Sequence, residues 1–139
     1  MQNLKLKLIT LLIGLFILRF SQAQEIKHTE SIHPEKFNDN VTVHKLSSDK
    51  NQSSYLIWVT DSVKPHYHKK HTECIYILKG GGTFYLGSKI IEMKKGDFIM
   101  IPEGIIHSFK NKWLGNTKVL SIQTPEFLGK DRFWVEIQE

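Results

Sequence analysis

Short apolar runs separated by polar turn segments follow one another along the chain from Val41 onward. The runs have four to seven residues each and are rich in β-branched and aromatic side chains, as β-strands are. They are VTVHKL from Val41, SYLIWVT from Ser54, ECIYILK from Glu73, TFYL from Thr83, KIIEM from Lys89, DFIMI from Asp97, HSFKN from His107, KVLSIQT from Lys118 and FWVEI from Phe133. No apolar pattern of helical period lasts beyond one or two turns, so the sequence predicts an all-β domain, closed or double-sheeted.

The first 23 residues have the pattern of a secretory signal peptide. Lys5 and Lys7 precede the apolar run Leu8–Leu18, and the small-residue pattern SQA ends at Ala23, where we expect the cut. Eleven apolar residues are fewer than the about 20 that a membrane-spanning helix needs, which disfavours an uncleaved anchor. We therefore expect an exported protein, periplasmic or secreted, with no stable membrane insertion after cleavage.

The rest of the chain divides into a polar arm and one domain. Residues 24–40 are polar and aperiodic, so we interpret them as an exposed arm, with an added edge strand as the alternative. Residues 41–139 carry the β-rich runs and form the predicted domain. A chain of 139 residues with 40% hydrophobic and 24% charged residues is typical of a single folded domain rather than a disordered segment.

Charge and cysteine content exclude two classes of protein. The formal net charge is +5, and because residues 1–23 hold three cations and no acidic residue, cleavage lowers it to +2. The remaining cations are interspersed with acidic residues, so no phosphate-binding face is predicted and nucleic acid is excluded as a partner. Cys74 stands alone, so the domain has no internal disulfide, and we expect a small buried hydrophobic residue there rather than a nucleophile.

The segment PHYHKKHTECIYILKGGG, residues 65–82, combines histidines, a glutamate and an apolar strand. His66 and His68 are two residues apart and so share one face of an extended segment. In the strand that follows, Glu73 shares its face with Ile75 and Ile77. A carboxylate on an apolar inward face is costly unless a cation lies beside it, so the pattern predicts a cation at Glu73.

A second segment, GDFIMIPEGIIHSFKN at residues 96–111, supplies a third imidazole. It predicts a strand, a turn at Pro102-Glu103-Gly104 and a new strand that His107 opens, as in a hairpin. Such a return of the chain brings His107 toward His66, His68 and Glu73. Three imidazoles and one carboxylate suit a divalent first-row transition metal better than calcium.

Together these two segments resemble the paired sequence motifs of the cupin superfamily. The first motif is matched by His66, His68, Glu73 and Gly80, and the second by Gly96, Pro102, Gly104, His107 and Asn111. The position six residues before His66, often glycine in the family, is Thr60 here. The resemblance covers about residues 41–124, with the His-x-His pattern present once, as in small single-domain bacterial members.

The resemblance implies a double-stranded β-helix, also called a jelly roll or cupin barrel. It implies one six-coordinate divalent metal ion held by His66, His68, Glu73 and His107, with Fe, Mn, Ni, Cu and Zn all open. It also implies a homodimer formed through edge strands. Asn111 and the glycines are interpreted as structural.

Four protein ligands around an octahedral ion leave two positions for water, dioxygen or a small oxygen-rich substrate. The sequence therefore indicates a metal-dependent enzyme, either an oxygenase or an isomerase or lyase that works through an enolised intermediate. The alternative is a module that binds a metal or sugar without turnover, because one fold hosts many functions. No general base is evident outside the four ligands, and catalytic residues beyond them stay unassigned.

Several further residues are candidates for a supporting or structural role. His71 lies in a turn between lysines and is predicted to face solvent or to support the site rather than bind the metal. Glu103 is interpreted as an ordinary exposed turn residue. In the C-terminal segment an edge strand is favoured over a loop that closes the barrel mouth. Five aromatic residues are predicted to lie mostly in the core, with one or two lining the pocket: Trp58, Tyr76, Phe84, Phe98 and Phe109.

Overall fold

The computed structural model describes residues 26–38 and 40–136, and these residues form ten strands and no helix. The strands are β1 (Val41–Ser48), β2 (Ser53–Val59), β3 (Ser62–Tyr67), β4 (Thr72–Lys79), β5 (Gly81–Leu86), β6 (Lys89–Lys94), β7 (Phe98–Ile101), β8 (His107–Asn111), β9 (Thr117–Thr124) and β10 (Phe133–Trp134). The described part of the chain holds no helix long and apolar enough to cross a membrane. The predicted signal peptide, residues 1–23, lies outside the described residues.

Two five-stranded antiparallel sheets face each other, which confirms the double-stranded β-helix. The first sheet has the order β1-β2-β9-β4-β7 and the second the order β10-β3-β8-β5-β6. From β2 to β5 and again from β6 to β10 each strand lies in the sheet opposite its predecessor, so the segments that carry His66, Glu73 and His107 approach one another from both sheets. β7 lies in the first sheet and β8 in the second, so the turn at residues 102–104 crosses between sheets instead of closing the predicted hairpin.

The core lies between the sheets and follows the alternation of each strand. Glu73, Ile75 and Ile77 are all buried on the inner face of β4, as predicted. Of the five aromatic residues, Trp58, Phe84 and Phe109 are buried. The prediction is wrong for the other two, since Tyr76 and Phe98 turn to the outer face and are 39% and 62% exposed.

Two details of the strands also differ from the sequence prediction. Cys74 points outward from β4 and is half-buried rather than buried, and burial raises the pKa of its thiol. The sequence predicts an extended segment but no strand at the position of β3, because Lys64 and Pro65 interrupt its apolar pattern. It is nevertheless a strand because it pairs with β8, and this pairing places His66 opposite His107.

The described part of the N-terminal arm covers the outer face of the first sheet without forming a strand, so the alternative of an edge strand is wrong for residues 26–38. The ammonium of Lys118 donates to the carbonyls of Thr29 (2.6 Å) and Ile32 (3.0 Å). The same ammonium lies 5.0 Å from the ring centroid of Trp58. The arm therefore seals a buried tryptophan and lysine, and burial lowers the pKa of Lys118.

The turn after β8 is organised by Asn111, as the structural interpretation predicts. Its amide donates to the carbonyls of Thr60 (2.9 Å), Trp113 (3.2 Å) and Gly115 (2.7 Å). Its oxygen accepts from the hydroxyl of Thr117 at 2.7 Å. These bonds fix the C-terminal end of β8, the strand on which His107 lies.

Candidate metal centre

Four side chains from both sheets converge at one end of the barrel. His66 is the penultimate residue of β3, and His68 comes directly after that strand. Glu73 is the second residue of β4 in the opposite sheet, and His107 is the first residue of β8. All four residues are buried, and one ligand atom from each lies within 4.8 Å of those of the other three. The structure therefore brings together all four residues that the sequence proposed as metal ligands.

Backbone carbonyls orient the three imidazoles. The Nδ1 atoms of His66 and His107 face the carbonyls of Lys64 (2.8 Å) and Ile105 (3.0 Å) and must donate to them. Nδ1 of His68 donates to the carbonyl of Asp131. With Nδ1 used in this way, each ring directs Nε2 toward the centre of the cluster, as in many metal sites where a second hydrogen bond fixes the tautomer.

Glu73 is oriented by two polar residues of β9. Its Oε1 accepts from the hydroxyl of Ser121 at 2.5 Å and from the amide of Gln123 at 3.1 Å. Oε2 is left facing the imidazoles, 3.4 Å from Nε2 of both His68 and His107. The sequence analysis did not identify Ser121 and Gln123, although both are polar residues at alternate positions of a predicted strand that also holds Val119, Leu120 and Ile122.

The electrostatics of the cluster favour a negative carboxylate beside imidazoles. Burial by itself would raise the pKa of Glu73, but its contacts with His107 and His68 hold that pKa well below the usual range. Burial, with a smaller contribution from His107, lowers the pKa of His66 to about 4. For His68 burial acts downward, yet attraction to Glu73 and the Asp131 carbonyl outweigh it and raise the pKa.

The donor set fits a divalent transition metal. At 3.4 Å the contacts with Oε2 are long for hydrogen bonds, and Nε2 of His68 and of His107 is buried with no hydrogen-bond partner. Two orphaned acceptor nitrogens beside a carboxylate are costly unless a cation lies among them. Bonds of about 2.1 Å in an octahedron place neighbouring ligand atoms about 3.0 Å and opposite ones about 4.2 Å apart, close to the observed spacing.

His71 supports the site from outside the cluster, and the solvent-facing alternative is wrong because it is buried. Its Nδ1 contacts the carboxylate of Asp131 and its Nε2 lies 3.0 Å from the carbonyl of Glu126. Both ring nitrogens therefore have protein partners. Although His68, His71 and Asp131 form a second cluster of potential ligands, both ring nitrogens of His71 are engaged by protein partners instead of facing an ion site. Glu103 is exposed, as predicted.

The C-terminal segment covers the cluster, which the preferred edge-strand prediction missed for most of its length. Phe133 and Trp134 pair with β3, and the N–H of Val135 donates to the carbonyl of Pro65 at 2.9 Å, whereas residues 125–132 run as a loop past the histidines. The carboxylate of Asp131 accepts from the backbone N–H groups of Lys69 (3.1 Å) and Lys70 (2.8 Å). Asp131 therefore fixes the C-terminal loop to the turn that follows His68. The signal in the sequence was weak, because an Asp in a polar loop is usually exposed.

A cavity of about 220 Å³ opens beside the cluster between the two sheets, and His66, Glu73 and His107 form part of its wall. Phe84 and Phe109 also line it, which identifies the two pocket aromatics that the sequence left open. Most of the remaining wall is aliphatic, with contributions from Val43, Ile57, Val63 and Ile75. The site can therefore hold a small molecule with one end at the cluster and the rest against apolar side chains.

Comparisons with known proteins agree with this architecture. A sequence-family model described as the cupin domain matches residues 53–123. An uncharacterized protein of Aquifex aeolicus is 34% identical over 116 residues, which cover 82% of this chain and 95% of that protein. Quercetin 2,3-dioxygenase of Bacillus subtilis is 31% identical over 75 residues, 49% of this chain but only 22% of the enzyme.

Among solved structures, an uncharacterized protein from Klebsiella pneumoniae with a double-stranded β-helix domain superposes with a TM-score of 0.69. The match covers 84% of this chain and all of that one at 13% identity. At that identity the likeness concerns the fold alone.

Proposed function

The chain belongs to the cupin family, and on that premise we propose that it is an exported, metal-dependent enzyme that acts on a small oxygen-rich molecule. The reaction is an oxygenation, or an isomerisation or elimination through an enolised form of the substrate. One observation carries the proposal: three imidazole Nε2 atoms and Oε2 of Glu73 are directed at one point on the wall of a largely apolar cavity. A divalent ion held there by His66, His68, Glu73 and His107 would supply Lewis acidity or, if redox-active, dioxygen activation.

The chain's own residues supply substrate binding and orient the carboxylate of Glu73. The aliphatic wall excludes water from the reacting end of the substrate, which strengthens electrostatic interactions there. Among the described residues, Glu73 is the carboxylate that lines the cavity. Because Ser121 and Gln123 occupy Oε1, Oε2 is the oxygen of Glu73 that would hold the ion.

Metal analysis followed by a substrate panel tests the proposal. Protein purified without added metal should contain close to one equivalent of Fe, Mn, Ni, Cu or Zn, and His107→Ala should not. The loaded protein is then incubated with catechols, uronates and small aromatic carboxylic acids while oxygen uptake and new ultraviolet-absorbing products are recorded. Iron or copper with oxygen uptake supports the oxygenase route, and oxygen-independent products support the isomerase or lyase route.

A non-catalytic binding module is the competing function. It would give no product with any compound and tight, saturable binding of one of them. The cavity by itself does not distinguish a catalytic from a non-catalytic function, because binding proteins enclose their ligands as well. The panel therefore includes a binding measurement by calorimetry for every compound that is not turned over.

Export is part of the proposal and rests on the leader pattern of residues 1–23. Expression of the full chain in a bacterial host should release a mature protein that begins at Gln24 in the periplasmic or secreted fraction. N-terminal sequencing of that fraction checks the cut, and an intact N-terminus in the membrane fraction would contradict it.

We also propose that two copies associate through the β4–β7 edge of the first sheet. Tyr76, Phe98 and Met100 form an apolar patch there and are 39%, 62% and 56% exposed. β7 ends the sheet, so its outer backbone groups are available for pairing with a second copy. Light scattering should give twice the monomer mass, and Phe98→Glu should reduce it to that of one chain.

A further inference from the structure

Arg132 places a positive charge at the edge of the cavity, in the loop that covers the metal cluster. Its side chain lines the cavity together with His66 and Trp134. The guanidinium carbon lies 5.7 Å from the ring centroid of Phe127 and 5.6 Å from that of Trp134. Two aromatic rings therefore hold the planar group in place, an arrangement that suits arginine better than lysine.

The guanidinium has no anionic partner in the described part of the chain. Nε of Arg132 is buried without a hydrogen-bond partner, and no carboxylate of residues 26–38 or 40–136 forms an ion pair with this side chain. The adjacent Asp131 does not compensate it, since its carboxylate accepts from His71 and from the backbone of Lys69 and Lys70. A buried donor without an acceptor is costly, so the position is stabilised when a ligand supplies that acceptor.

The charge balance of the site also calls for an anion. A divalent ion would bring two positive charges and Arg132 a third, against the single negative charge of Glu73. A singly charged anionic ligand that lies against the guanidinium reduces this excess from two to one. Carboxylate is the anion whose planar pair of oxygens fits the guanidinium fork with two parallel hydrogen bonds.

The cavity restricts the rest of the ligand. Its volume of about 220 Å³ is below the roughly 300–1,000 Å³ common for ligand pockets, so it suits a single ring or a short branched chain. Valine, isoleucine and phenylalanine side chains make up most of its wall. Asn40, Ser62 and Ser108 also line the cavity, but its surface is mostly apolar, so most hydroxyl groups of a polyhydroxylated sugar would lack partners, and a three-ring flavonol would exceed the volume.

From these observations we propose that Arg132 binds the carboxylate of the substrate, and that the substrate is a small carboxylic acid with an apolar body. The inference deepens the proposed function and rests on the same cavity. The acid group lies on Arg132, the apolar body lies against Ile75 and Phe109, and an oxygen of the substrate faces the four-residue cluster. Arg132 is a specificity-determining residue in this arrangement.

Calorimetry with a matched pair of probes tests the inference without relying on turnover. The probes are 3-phenylpropanoate, which carries the carboxylate, and 3-phenylpropanamide, which has the same shape without the charge. Each is titrated into metal-free and into zinc-loaded protein, because a preference seen in both forms cannot arise from the metal alone. We expect the wild-type protein to bind the acid at least about tenfold more tightly than the amide in both forms, as for a charged hydrogen-bonded pair.

The variant Arg132→Gln should lose that preference while its affinity for the amide stays within about twofold. Arg132→Lys keeps the charge but lacks the fork, so it should retain only part of the preference. Lys45→Gln removes one positive charge at an exposed position of β1 and serves as the matched control, with the preference unchanged. Circular dichroism and zinc content show whether each variant is folded and loaded.

Three outcomes are distinguishable. Loss of the preference in Arg132→Gln, with fold and zinc content retained, supports the inference. Equal binding of acid and amide by the wild-type protein, or an unchanged preference in Arg132→Gln, overturns it whether or not the protein is an enzyme. An intact, Arg132-dependent preference with no turnover of any acid supports the inference and contradicts only the proposed enzymatic function.

Discussion

The backbone carbonyl of Asp131 accepts a hydrogen bond from Nδ1 of His68. The two residues are 63 positions apart in the chain, and the bond links the C-terminal loop directly to the four-residue cluster. The carboxylate of the same Asp131 binds His71 and the backbone of the turn that follows His68. The loop thus sets the orientation of one imidazole and carries Arg132 to the cavity at the same time.

The first prediction concerns Asp131. Asp131→Ala keeps the carbonyl but removes the contacts that hold the loop against the turn, so His68 should be less well oriented. Loss of such outer contacts typically costs about 10–100-fold in metal affinity, and we expect a decrease of that size. Competition with a chromogenic zinc chelator measures it. Asp61→Ala, which removes an exposed carboxylate paired with Lys110, should leave the affinity unchanged, and an equal loss in both variants would contradict the role of Asp131.

The second prediction concerns His107. His107→Ala removes one of the four donors and should abolish most metal occupancy, while the β-rich circular dichroism spectrum is preserved because β8 keeps its ladder. Elemental analysis after identical purification measures the occupancy. His44→Ala removes an exposed histidine on β1 and is the matched control. Stoichiometric metal in the His107 variant would remove that residue from the ligand set.

The third prediction is a loss of metal on acidification, because an imidazole binds metal only when it is neutral. As the pH falls, His68, whose pKa is raised, takes up a proton before His66, whose pKa is about 4. Glu73 stays ionised throughout, since its pKa lies well below the usual range. Because the pKa of His68 is raised, metal affinity should begin to fall above about pH 6.5, the reference pKa of histidine, and should continue to fall on further acidification. Dialysis against buffers of decreasing pH, followed by elemental analysis, would refute three-histidine ligation if occupancy stayed constant to about pH 4.

The fourth prediction concerns the close approach of β5 and β8. A Cβ at Gly82 would lie 2.1 Å from the carbonyl oxygen of Lys110, a backbone atom that can move only if the strands separate. Gly82→Ala should lower the free energy of unfolding by about 1–3 kcal/mol, the usual cost of overpacking. Urea denaturation measures the change. Gly87 lies in the open turn between β5 and β6, where asparagine tolerates the left-handed backbone. Gly87→Asn should therefore lower the free energy of unfolding much less than Gly82→Ala.

The strands were largely predictable because their signal is local. The first eight predicted runs agree with observed strands to within two residues at either end, since β-branched and aromatic runs between turns specify extended backbone without reference to the rest of the chain. β3 is the exception, because Pro65 and Lys64 weaken its pattern and pairing with β8 makes it a strand. The same locality explains the errors at Tyr76 and Phe98, where hydrophobic character does not reveal which sheet face is covered.

The sequence by itself determined the alternation of strands and turns, the family motifs and the four residues proposed as ligands, because residue type and spacing are local properties. Only the tertiary structure decided which side chains support them. Ser121, Gln123 and Asp131 reach the cluster through strand register and loop path, which depend on the packing of the whole chain. The cavity and the unpartnered guanidinium of Arg132 have the same origin, since enclosed space and a missing partner arise only once distant segments are brought together.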